Sequence, residues 1–94
     1  MSDFDATMAA LRERFVARCM TDCARLKAHL EGDILAPPEL RRAVHRLAGA
    51  AGMFGYAELG AVAGDLDAKL AASNDPSGLP RLIEALAALN APRP

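Results

Sequence analysis

Ninety-four residues, 52% of them apolar, suffice for one hydrophobic core and are too few for two. Eleven Lys and Arg against twelve Asp and Glu leave a net charge of -1, which excludes the broad positive field of nonspecific nucleic-acid binding and favours protein partners. Cys19 and Cys23 lie four residues apart in a helix-like segment with no apolar leader before them, so a secreted disulfide framework is not expected and a cytoplasmic location is.

The first element runs from about residue 4 to 31. Its larger apolar residues, Met8, Leu11, Phe15, Cys19, Leu26 and Leu30, recur in steps of three, four and seven and share one helical face. Charges at Arg12, Glu13, Arg14, Arg18, Asp22, Arg25 and Lys27 fill most of the rest, and the pattern leaves room for a break or a short extra helical turn near the start. Gly32 and Asp33 signal a stop, and Pro37-Pro38 restarts the chain with proline in a first helical turn.

A second helix over about 38–54 carries Leu40, Val44, Leu47, Ala51 and Phe54, alternating steps of four and three that make a buried seam, and Gly55 is placed to end it. The third, about 56–72, turns Leu59, Val62, Ala63, Leu66 and Leu70 inward and closes at Ser73-Asn74-Asp75-Pro76. The fourth, about 79–90, carries Leu79, Leu82, Ile83, Leu86 and Leu89, and residues 91–94 read as a frayed tail. Four amphipathic helices with short connections and no strand-like alternation predict an all-α, antiparallel up-and-down four-helix bundle, a single domain over 1–94. Each helix can bury its apolar face within one chain, so a monomer is expected.

The stretch from Leu47 to Gly64 could pass for a membrane span, with Gly60 and Gly64 in small-xxx-small spacing. Its apolar residues are mostly Ala and Gly, Glu58 sits within it, and Gly49, Gly52 and Gly55 would weaken a lipid-facing helix. Close helix contacts in a bundle explain it better. The sequence has no Gly-rich phosphate loop, no dinucleotide fingerprint, no HExxH and no CxxC, so ATP binding and structural zinc lack support. Cys19, Cys23 and His29 want a fourth ligand, and buried thiols with a surface histidine near a helix end account for them. No metal or cofactor site is expected.

His45 stands apart. It is turned about 100° from Val44, at the edge of the buried seam, and its neighbours one turn away are Arg41 and Arg42 on one side and Ala48 and Gly49 on the other. Small residues leave the ring open to a large partner, and the arginines can attract an anionic phosphoryl group. Imidazole is nucleophilic in its neutral form, and phosphoryl transfer needs positioning and charge stabilisation that a partner, with any metal, can supply.

The segment from His45 through Leu47, Gly49, Gly52 and Gly55, followed by Leu59 and by Leu66-Asp67, resembles the histidine phosphotransfer (Hpt) family, whose pattern is H-x-L-K-G with a later glycine, a leucine and a leucine-acid pair. The likeness covers the second and third helices closely, and the other two through length and amphipathic pattern. It implies a four-helix bundle, a phosphoacceptor at His45, and docking of receiver domains or a hybrid histidine kinase over Ala48, Gly49 and Gly52. Two departures stand out: Ala48 replaces the family's lysine, and Asp67 replaces its more usual glutamate. Arg41, Arg42 and Arg46 are the candidates to stand in for the lysine. The chain then serves as a phosphoryl carrier in a phosphorelay, not as a kinase. A phosphorylation-independent adaptor is the second reading, and a kinase dimerisation domain is third, since such domains usually present a two-helix hairpin before an ATP-binding domain.

Overall fold

The computed structural model describes residues 3–89, and the tail expected at 91–94 lies outside them. It contains α1 (Asp3–Leu30), α2 (Pro37–Met53), α3 (Ala57–Ser73) and α4 (Leu79–Ala88), with no strand among the described residues. The helices form an all-α four-helix bundle, α3 packing on α2 and α4, and α1 on α4 and more thinly on α2. No helix among the described residues is long and apolar enough to cross a membrane.

α1 is unbroken from Asp3, so the described residues show neither a break nor a separate N-terminal turn. Residues 3–14 contain no Gly or Pro and are rich in Ala, Met, Leu and Arg, while Asp3 and Asp5 place negative charge against the positive end of the helix dipole. At 28 residues α1 is about 42 Å long against about 15 Å for α4, by helical rise. Its N-terminal turns therefore overhang α4, and no residue from 3 to 14 is buried. Leu11 and Leu30, on the apolar face by spacing, are 40% and 53% exposed, Leu11 at the rim of an open crevice shared with Leu47 and Phe54 of the α2 side.

The core is built from Leu26, Val44, Leu47, Leu66, Leu79, Leu82 and Leu86, all essentially buried. One member of the buried face of α1 is charged. Asp22, grouped by charge with the solvated residues, is 1% exposed between Cys19 and Leu26. α4 ends at Ala88, short of the expected 90, where the Leu89 N–H bonds back three residues to the Leu86 carbonyl.

The turn between α2 and α3 sets the register of that pair. Gly55 adopts φ +83°, open to glycine without strain, while the Tyr56 N–H donates to the Ala51 carbonyl and the Gly55 N–H to that of Gly52. Phe15 of α1 covers this turn, its ring 5.2 Å from Phe54 and 5.5 Å from Tyr56. Beyond the turn small residues let the backbones close in: a methyl group at Gly60 would lie 3.6 Å from the Ala51 Cβ and from the Gly52 nitrogen.

Candidate functional site

α2 buries Val44 and Leu47, so the intervening His45 turns outward and its side chain is 79% exposed. α3 repeats the arrangement one helix away, since Asp67 follows buried Leu66 and lies at the edge of the core, its side chain 25% exposed. The two edges meet, with His45 Nδ1 2.8 Å from Asp67 Oδ2. An ionised carboxylate can only accept, so this contact calls for the proton on Nδ1. The lone pair of the neutral ring is then on Nε2, directed away from the acid. The pairing fixes the tautomer and orientation of an otherwise solvated ring.

Arg41, Arg42, His45 and Asp67 line one open cleft of about 530 Å³ together with Pro37, Pro38 and Asn74. Both arginines come from the first turns of α2, which begins at Pro37 without a side-chain cap. Gly49 and Gly52 are exposed on the outer side of α2, and a methyl group added at either would meet nothing within 4 Å. Ala48 is half-buried.

Arg46 takes a different direction. Its guanidinium Nη2 lies 3.8 Å from Oδ1 of Asp22 on α1, and the residue lines a crevice between α1 and α2 in place of the His45 cleft. Arg18 Nε is also 3.8 Å from that oxygen. Both carboxylate oxygens of Asp22 are buried without a hydrogen-bond partner. Burial raises the Asp22 carboxyl above the usual carboxylate range, and the nearby Arg46, Arg18 and Arg25 guanidiniums pull it back only in part.

The Hpt domain family model matches residues 10–91 of the chain. The chain is an Hpt domain. No curated protein and no solved structure is significantly similar to it. Hpt domains carry phosphoryl groups on a histidine in two-component signalling, have no kinase activity of their own, and meet receiver domains and histidine kinases.

In this Hpt domain the structure brings together His45, Arg41 and Arg42, and it places Arg46 on the opposite flank of α2. Asp67 was visible in the sequence as the acid of a leucine-acid pair, with no role attached. The signal for one was that Asp67 follows Leu66 as His45 follows Val44, each one step off a buried position. Cys19 and Cys23 are both buried free thiols, and burial, with the Asp22 carboxylate and then Cys23 adding to it, pushes the Cys19 thiol up to about 11. His29 is half-buried, its Nδ1 accepting the Leu35 N–H at 2.9 Å to close the α1–α2 connection.

Proposed function

We propose that this Hpt domain relays a phosphoryl group through His45, between the aspartates of receiver domains or from a hybrid kinase to a response regulator. The observation that carries the reading is the His45–Asp67 contact of 2.8 Å, which leaves Nε2 open to solvent beside two arginines. Nε2 attacks the phosphorus of a receiver's aspartyl phosphate in line. The P–O bond to that aspartate breaks, its electron pair leaving with the carboxylate. Nδ1 keeps its proton against Asp67, whose charge offsets the positive charge that develops on the ring. Onward transfer runs the same steps in reverse.

Arg41 and Arg42 supply positive charge one turn before the nucleophile, in place of the lysine whose position Ala48 holds. Ala48, Gly49 and Gly52 give the receiver a surface with little side chain in its way. The domain works as a cytoplasmic monomer without a cofactor of its own, and magnesium belongs to the receiver. A phosphorylation-independent adaptor for a receiver or a kinase is the second reading, favoured by the alanine in the lysine's place.

Purified phosphorylated receivers should place an acid-labile, alkali-stable label on the domain and none on His45→Gln, a change of similar size at an exposed position that leaves the fold intact. Wild-type labelling of that variant would move the acceptor elsewhere. A wild type that takes label from no receiver would favour the adaptor.

A further inference from the structure

The buried face of α1 contains a charge that phosphotransfer does not use. Asp22 is 1% exposed, and neither oxygen has a hydrogen bond. An ionised carboxylate in that setting is costly unless cations stand close by. The nearest are Arg18 Nε and Arg46 Nη2, each 3.8 Å from Oδ1. Arg18 reaches it from one turn away on the same helix. Arg46 comes from α2 and is the residue immediately after His45.

Consecutive helical residues point about 100° apart, and a long, flexible arginine side chain can serve either flank of its helix. The flank it occupies is therefore decided by where negative charge lies. In the resting domain that charge is Asp22. A phosphoryl group on His45 would be a second and stronger attractor, with a formal dianion on the other flank of the same helix.

We propose that Asp22 is a positioning residue for the phosphoryl chemistry of His45: it holds Arg46 on the α1 side of α2, away from the phosphorylated ring. The inference rests on His45 being the phosphoacceptor. Its consequence is that only Arg41 and Arg42 attend the phosphohistidine. A third guanidinium would stabilise the phosphorylated ground state, lengthening its life and slowing onward transfer.

The test is a double-mutant cycle read as phosphohistidine half-life after the phosphorylated receiver is removed. Asp22→Asn should lengthen the half-life about two- to fivefold, the range of one exposed ion pair. Adding Arg46→Gln should return it to the wild-type value, while Arg46→Gln alone should have a much smaller effect. Arg18→Gln, which removes a cation equally close to Asp22, should not shorten the half-life of the Asn variant. Equal effects of Arg46→Gln in both backgrounds, or a lengthening that survives loss of Arg46, would overturn the proposal by reducing Asp22 to a structural group.

A second measurement needs no variant at Asp22. In the wild type, phosphorylation should shift the NMR signals of the Arg41 or Arg42 Nε–H and leave that of Arg46 in place. An Arg46 shift as large as theirs overturns the proposal. A wild type that takes no label removes the phosphotransfer reading and this inference together; a labelled wild type whose half-life ignores Asp22→Asn removes the inference alone.

Discussion

His45 and Arg46 are neighbours in sequence, yet each faces a carboxylate on a different helix, and the two pairs are built differently. On the α3 flank His45 meets Asp67 at hydrogen-bond distance, and both side chains retain contact with water. On the α1 flank Arg46 stands 3.8 Å from an acid that is sealed from solvent and accepts no hydrogen bond. The backbone explains the contrast. Small residues bring α2 and α3 close enough for short side chains to touch, whereas α1 and α2 lie farther apart with a crevice of about 270 Å³ between them. A close seam fixes geometry, while an open one leaves charge to act over distance.

The comparison breaks most readily at Asp67. Asp67→Ala frees Nδ1 and lets the ring rotate and change tautomer, so phosphoryl gain by His45 should slow about tenfold, the size of a partly exposed charge-assisted hydrogen bond. The fold should change little, because the acid lies at the rim of the core. Stopped-time labelling with a phosphorylated receiver measures the rate, and an unchanged rate would make the contact incidental.

A smaller effect is expected from the cations of the cleft. Arg41→Ala with Arg42→Ala should slow phosphoryl gain about threefold to fivefold, since exposed charge contacts are individually modest. Ala48→Lys in that background should recover part of the loss by returning a cation to the flank of His45. Receiver-dependent labelling rates of the three proteins decide the matter, and equal rates would take the arginines out of the chemistry.

The smallest effect concerns the sealed acid and appears in stability. Burial raises the Asp22 carboxyl, so the folded chain holds that proton to higher pH than the unfolded chain, and ionisation weakens the fold. Stability lost in this way grows as pH rises from the ordinary value of 3.8 through the raised one. Asp22→Asn should therefore gain about 0.5–1 kcal/mol at neutral pH, the remaining amide still lacking partners, and the gain should disappear in acid below that window. Urea unfolding at several pH values checks it, and a gain independent of pH would mean that charge is not the cause.

The four helices were legible because each carries its apolar residues in steps of three and four, and the phosphotransfer pattern on α2 and α3 was legible because its residues are local. Asp67 on His45 was not, since a contact across 22 residues depends on the register that Gly55 and the Tyr56 turn impose. Asp22 was hidden for another reason. Its spacing from Phe15, Cys19 and Leu26 already put it on the buried stripe, but a charged side chain is normally assigned to water, and that expectation outweighed the periodicity. That Arg46 turns about 100° away from His45 was legible from helical spacing, but its meeting with Asp22 was lost with the acid.

The overhang of α1 makes protection from solvent uneven along a single helix. From Asp3 to Arg14 no residue is buried, whereas Phe15, Cys19, Asp22, Cys23 and Leu26 all are. A stretch of helix with no fully buried side chain is thinly supported, so the amide hydrogens of its first turns should exchange by local fraying, and those near Leu26 only with opening of the whole domain. A protease or an exchange experiment would meet a soft lever joined to a hard bundle, with the Phe15 ring, against Phe54 and Tyr56, as its fulcrum.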